Sequence, residues 1–394
     1  MPDRPQFSYF ISHHTSPITK HSEIWHQPLP LSRKFSNNSG QSTIDHGVYF
    51  NAVRVFLEKS GCEMISQVFS QRFKKSVKPT DIREIKICLE KHGEFYHPAR
   101  VDTFTGHQNI SFVLNVAVSE AGIRSINTEY HHLKKLGDEF SPSFLPRVYG
   151  YGQVRSVGNR RIHMFLGQWF EGYNEFHVSK DPLDNKYKIL VWNDSKSRLF
   201  LSPQQSAEIY RQMARILTYY YNVESFEQIS AWHHAAGDFV IRIDTAGIDT
   251  KIITVRSYAP LFSNLADLKN SHNDPELILQ ALLIFFLNLS IRMRLDRLDG
   301  VGDVIWADNL AVQSTLAGFL EGLALKPRIP LLPGSNDQCF SYYLAVCTKE
   351  DLQDLSKAVI STFHQQAPEV PVIKQHLNEH VEALSQAIDG MLNK

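Results

Sequence analysis

Cysteine is scarce: Cys62, Cys88, Cys339 and Cys347 are the only four, none stands in a C-x-x-C pair, and the nearest two are eight residues apart. That spacing argues against a thiolate zinc site or a disulfide framework and points to a reducing compartment. Net charge is absent as well, with 41 basic and 41 acidic residues among 394. No global field therefore draws the chain to nucleic acid or to an anionic membrane. The one dense basic run, RFKKSVK at 72–78, reads as a solvated helix end. The first twenty residues lack a basic segment followed by an apolar run, so no signal peptide is expected and the location expected is cytoplasmic. No apolar run is long enough to cross a bilayer. LILQALLIFFLNLSI at 277–291 contains Gln and Asn, runs into RMRLDRLD, and reads as a buried helix of a soluble protein. Neither G-x-S-x-G nor H-E-x-x-H occurs, and no internal repeat is visible.

What remains is an ordinary globular balance, 43% apolar and 21% charged, in a chain long enough for two lobes. Residues 1–48 are rich in Ser, His, Pro and Asn without a steady period, and predict an extended polar arm that is ordered only where it docks. Its five histidines, His13, His14, His21, His26 and His46, match no ligand spacing and read as loop histidines. From Tyr49 to about Val77 apolar residues recur at helical spacing, with Gly61 as a break. Extended runs follow over IREIKICLEKHGEFYHPARVDTF and ISFVLNVAVS, joined at GHQN as a hairpin. A helix over 123–137 is expected to stop at Gly137, and two strands, LPRVYGYGQV and RIHMFLGQWF, flank the turn SVGNR. Beyond them helical patterns dominate, at 203–224, 274–297, 309–325, 349–366 and 370–393. Tyr219, Tyr220 and Tyr221 fall on the first of these as core and packing surface. The only clear β interruption is FVIRIDTAGIDTKIITVRSY, turning near Ala246-Gly247. Strands and helices are thus segregated, an α+β arrangement, with a small β lobe at 49–170 and a helical lobe at 171–394.

This order resembles the protein-kinase-like fold, in particular the branch of aminoglycoside phosphotransferases and choline kinases, over roughly residues 85–330. In such proteins a central strand of the small lobe precedes a helix whose glutamate pairs with the strand's lysine. Here the strand is FVLNVAVSEAG (112–122) with Asn115 in the lysine slot, and the helix carries NTEYHHLKKL with Glu129 in the glutamate slot. MFLGQWFEGYNEFH (164–177) then resembles an edge strand and the hinge between lobes, where Trp169 and Glu171 would border a ligand. AWHHAAGDFVIRI (231–243) fits the shape of the catalytic loop. It puts His233 in the catalytic-aspartate slot and Asp238 in the slot of a metal-binding asparagine. On the return strand KIITVRSYAP, Thr254, or Arg256 if the register slips by two, replaces the second metal ligand.

The resemblance implies two lobes with ATP, a related nucleotide or another small molecule in the cleft between them, and Mg or Mn as the accompanying metal. The departures are as specific as the match. One carboxylate beside an arginine is a poor magnesium site, and HGEFYHPARV (92–101) holds one Gly where a glycine-rich nucleotide loop is expected. A pseudokinase-like binder of a nucleotide or small ligand is therefore the first expectation. An atypical phosphotransferase with His233 as base and Asp238 as metal ligand is the second, and a non-catalytic scaffold the third. At the loop itself His233 and His234 could serve as general base, or with Asp238 as transition-metal ligands, or the segment could be a structural turn. Arg256 could instead pair with Glu129 or fork onto a phosphate. In HGEFYHPARV, a strand would put Glu94 on the face of His92 and His97 on the opposite one.

Overall fold

A computed structural model describes residues 5–12, 16–30, 44–93, 95–192, 198–261 and 274–392. The chain divides into two compact units, one formed by residues up to Ser141 with Pro146–Glu171, the other by Pro142–Leu145 with Gly172–Lys394.

The first unit is built on a sheet in the order β1-β2-β3-β4-β6-β5. Strand β1 (Gln6–Ile11) belongs to the polar arm and pairs parallel with β2 (Glu84–Leu89). The remaining pairs, through β3 (Ala99–Phe104), β4 (Asn109–Ala117), β5 (Val148–Arg155) and β6 (Arg161–Gln168), are antiparallel. Two helices, α1 (His46–Glu58) and α2 (Glu63–Phe73), share a core with the alternating residues Phe112, Leu114 and Val116 of β4. The expected break lies between them, where Gly61 and Cys62 have φ of +65° and +70°. From the arm, Trp25 enters the same core and stacks on Phe50 with ring centroids 5.8 Å apart. Basic residues 74–75 are exposed just past the end of α2.

The other face of the sheet is covered by α3 (Glu120–Glu139), whose N-terminus is capped by the Ser119 hydroxyl. Its Tyr130 meets Phe165, the residue of β6 directly opposite Asn115. The helix runs two residues past Gly137, whose surroundings are open. Its backbone is helical there, and the helix ends at Phe140 just before Ser141-Pro142, where proline disfavours a helical predecessor. A second difference concerns β6, expected at the edge. It lies between β4 and β5, and β5 is the edge strand.

The second unit departs further from the expected single hairpin. Strands β7 (Asn174–Lys180), β8 (Tyr187–Trp192) and β9 (Arg198–Phe200) precede α4 (Pro203–Tyr219), β10 (Glu227–Ile229), β11 (Phe239–Asp244), β12 (Gly247–Ile252) and β13 (Tyr258–Pro260). Five of them form one sheet, β12-β11-β7-β8-β9, while β10 pairs with β13. In β7 the run Phe176–Ser179 is buried at four successive positions, so the alternation that marks a one-faced strand is missing from the sequence. Helix α4 starts with a Ser202/Gln205 capping box and Pro203 in its first turn. Its Gln212 binds the edge of β12, donating to the Ile248 carbonyl and accepting from the Thr250 N–H.

The apolar run expected to be too short to span a bilayer lies in a longer helix, α5 (Pro275–Met293), which by length and composition could cross a membrane. Two thirds of its most apolar window is buried inside the unit, and Leu282, Phe286 and Leu287 are fully enclosed, so it is a core helix. Next come β14 (Leu295–Arg297), β15 (Val304–Trp306), α6 (Asn309–Ala324), α7 (Asn336–Ala345), α8 (Lys349–Ser361) and α9 (Glu369–Leu392). Phe286, Phe319 and Phe340 join α5, α6 and α7 through ring contacts of 4.8–6.0 Å. Helix α7 was not anticipated because only Asn336, Phe340 and Leu344 are buried along it. Tyr219, Tyr220 and Tyr221 are core residues, as expected.

Helices α4 and α6 approach closely at Gly318, where an added Cβ would lie 1.9 Å from the Arg211 carbonyl oxygen. Gly318→Ala should therefore lower stability by about 1–3 kcal/mol through overpacking. Gly137→Ala should raise it by about 1 kcal/mol, because the helix position is open. Urea unfolding of the two variants checks the opposite signs.

Candidate functional site

The segment Trp232–Asp238 lies between two paired elements of the second unit. β10 on one side is hydrogen-bonded to β13, and Ser230 Oγ donates to Ser257 Oγ at 3.0 Å. On the other side β11 begins at Phe239 and pairs with both β12 and β7. The chain closes through a wide five-residue turn, His234–Asp238, which requires φ of +68° at Gly237. A side chain there would also strike Glu175 of β7, whose carboxylate lies 2.8–3.0 Å from the Cβ position. Glycine is thus needed twice over, for conformation and for room.

Asp238 is fully buried. Its Oδ2 accepts the His233 N–H at 2.9 Å and an Arg256 Nη1–H at 2.8 Å, and Arg256 Nη2 donates to Oδ1. Arg256 therefore grips both carboxylate oxygens as a bidentate fork. Arg256, expected to pair with Glu129 or to fork onto a phosphate, is bound to Asp238 within the second unit. The metal-ligand role foreseen for Asp238 meets the same obstacle: both oxygens are engaged by protein donors. Among the described residues no group of three or more His, Cys, Asp or Glu is arranged to hold a metal ion.

The two histidines differ sharply. His233 reaches solvent at the loop surface. The protein around it desolvates the ring and lowers its pKa, opposed by Asp238 and aided by Arg292 and Arg256. His234 is buried and stacked on Trp232, rings 5.5 Å apart and nearly parallel, with Tyr210 on α4 at 5.9 Å. Burial, then His233, pushes its pKa down to about 3, and its Nε2 has no hydrogen-bond partner. His234 is thus a neutral core residue that anchors the turn, leaving His233 as the imidazole available for proton chemistry.

Sequence reasoning passed over the acidic run LDRLDG at 295–300. Asp296 Oδ2 accepts the Val178 N–H of β7 at 3.1 Å, and Asp299 Oδ1 accepts the Ser179 hydroxyl at 2.6 Å. Burial lowers the pKa of His177, and Asp299 and Glu175 oppose that shift. Glu175, His177, Asp296 and Asp299 thereby form the polar surroundings of β7. The signal available was the repeated L-D before Gly300, too short to separate from a solvated loop.

In the first unit Asn115 is half-buried on the α3 face of β4, while Glu129, four residues before Leu133 on α3, is 1% exposed. Glu129 is therefore not the surface residue of an amphipathic helix. Trp169 follows β6 with the Arg100 guanidinium 5.8 Å over its ring, and Glu171 is exposed at the end of the unit. His92 and His97, expected on opposite faces of a strand, instead touch. Glu90 N–H donates to the Pro98 carbonyl oxygen, and the two Nδ1 atoms lie 3.1 Å apart. Glu94, His13 and His14 lie outside the described residues, as do the side chains of Ala235 and Ala236.

Comparison with known protein families and with curated protein sequences finds no match to this chain.

Two expectations follow. Removing one partner of a buried ion pair strands the other, so Asp238→Asn or Arg256→Met should each cost about 3–5 kcal/mol, with the double variant recovering part of the loss in a urea double-mutant cycle. His234 is neutral when folded but binds a proton near pH 6.5 when unfolded. Its contribution is complete above that pH and declines as pH falls toward 3. His234→Phe should therefore show a flatter loss of stability between pH 6.5 and 4.5 than the parent, by up to about 1.4 kcal/mol per pH unit.

Proposed function

We propose that this chain is a kinase-like protein that has lost phosphoryl-transfer chemistry and binds a nucleotide or another small anionic molecule. The observation that carries the reading is the buried Asp238–Arg256 fork. Phosphoryl transfer of this type needs carboxylates free to hold Mg ions and a lysine on the phosphates. The carboxylate in the metal slot is committed to arginine, and the lysine slot holds Asn115. The kinase-like part of the reading is supported by the order of β4, then α3 with Glu129 inside, then β5 and β6, and by the loop preceding the β11–β12 hairpin.

A second reading, an atypical phosphotransferase, draws support from His233, which reaches solvent and is held toward its neutral, proton-accepting form. The two separate in one set of measurements. ATP or GTP at about 100 times Kd should stabilise a binder by about 2.7 kcal/mol, a rise of roughly 2–4 °C per kcal/mol for a unit of this size. The binder reading expects that rise without a need for Mg or Mn, and no nucleotide turnover. Metal-dependent turnover abolished by His233→Ala would establish the phosphotransferase. No response to any nucleotide would leave a scaffold.

A further inference from the structure

Three imidazoles from two separate stretches of sequence meet in the first unit. His97 is 2% exposed and His46 5%, and His92 lies between them, its ring 5.3 Å from His97 and 6.2 Å from His46. His92 Nδ1 and His97 Nδ1 are 3.1 Å apart, so one must donate and the other accept. Two protonated rings cannot make that contact. His46 Nδ1 lies 2.9 Å from the Gln27 carbonyl oxygen and so carries its proton there.

Among the described residues the carboxylates nearest the trio are already engaged. The Asp45 side chain is bound to the Val48 N–H as the α1 cap. Glu90 lies 3.7 Å from Arg100, and the Tyr49 hydroxyl donates to the His97 carbonyl oxygen. The charges that act on His97 are those of His92 and His46, and with burial ahead of them they bring its pKa down to about 4. His92 is lowered too, by burial and then by His46. The β2–β3 connection carrying His92 and His97 is tied by Glu90 N–H to Pro98 O, Gly93 N–H to Tyr96 O, His97 N–H to Val116 O, and Tyr96 Oη with Ser125 Oγ of α3.

We infer that His46, His92 and His97 form a proton-operated clasp that keeps the described residues of the β2–β3 connection, 90–93 and 95–98, closed against the N-terminus of α1 and releases them on acidification. Folded His92 and His97 resist protons that the released connection accepts near pH 6.5, so closure is fully favoured above that pH and is lost as pH falls toward 4. Because the trio lies wholly in the first unit, the inference stands whether or not the chain binds a nucleotide.

Hydrogen exchange of the full chain, read on peptides covering 90–98 and corrected for intrinsic rates, tests this between pH 7.5 and 5. The parent should lose protection there by at least tenfold at the acid end while α5 and α6 keep theirs. Asn places an amide near the Nδ1 position, so His92→Asn/His97→Asn preserves a hydrogen bond without a titrating ring and should stay protected throughout. His46→Asn keeps a donor for Gln27 and removes a charge that holds His92 and His97 down, so the acid drive to open weakens and the opening midpoint should move to lower pH. Unchanged parental protection at pH 5, an acid response that survives in the double variant, or a midpoint unmoved by His46→Asn would each overturn the clasp. So would a rise in melting temperature with Zn(II) that the double variant abolishes, since the trio would then be a metal centre.

Discussion

Asp238 is a fully buried carboxylate, and the protein groups around it supply the hydrogen bonds its charge requires. Arg256 spans both oxygens, the His233 N–H adds a third donor, and the Asp238 carbonyl accepts the Ile253 N–H at 2.8 Å. These contacts bind the turn before β11 to the segment after β12, while β10 and β13 tie the flanking residues together. A carboxylate held by three donors in a buried position is a structural charge. Its neighbours follow from that: Gly237 must adopt a left-handed conformation so that the chain can turn back, and it must lack a side chain so that Glu175 can approach. A loop whose residue types suggest catalysis is thereby converted into a closed structural turn with one imidazole, His233, at its surface.

The first unit rests on the two-sidedness of β4. Phe112, Leu114 and Val116 face α1, α2 and the Trp25 segment, whereas Asn115 shares the face covered by α3. A central strand buried on both sides leaves its polar residues dependent on whatever the covering helix brings, and α3 brings Glu129. The polar arm is part of the same construction. Strand β1 extends the sheet next to β2, and Trp25 closes the core over Phe50 and Tyr9, so a sequence without hydrophobic periodicity still contributes an edge strand and an aromatic plug.

Burial keeps several histidines neutral. His97, His234 and His380 are at most 2% exposed, and desolvation is the leading reason that each is pushed well below the ordinary imidazole range. They differ in what surrounds them. His234 lies flat against Trp232 and serves packing; His380 sits edge-on to Trp306 beside the Arg294 guanidinium. Only His97 faces other imidazoles at hydrogen-bonding distance, which is why the same physical cause yields packing in one place and a proton-sensitive contact in another.

Local signals determined much of this architecture. Helical spacing located α1 to α6, α8 and α9, though not α7, and turn residues located the β3–β4, β5–β6 and β11–β12 hairpins, because these features depend on periodicity and backbone chemistry within a few residues. The α+β character and the position of the His233–Asp238 turn before a strand were legible for the same reason. Partnership was not. Whether Arg256 serves Asp238, Glu129 or a ligand depends on a contact eighteen residues away in the chain that only packing selects. The β7–β8–β9 strands lack alternation because the sheet buries consecutive residues, and β6 became an inner strand because β5 pairs on its outer side. His46, His92 and His97 belong to two segments that the sequence keeps apart, and His97 reaches His92 only because the chain turns where an extended reading would separate them. Composition and spacing act over a few residues; the assignment of charges and rings to one another is made by the tertiary fold, since that is where water is excluded and each polar group must find its partner.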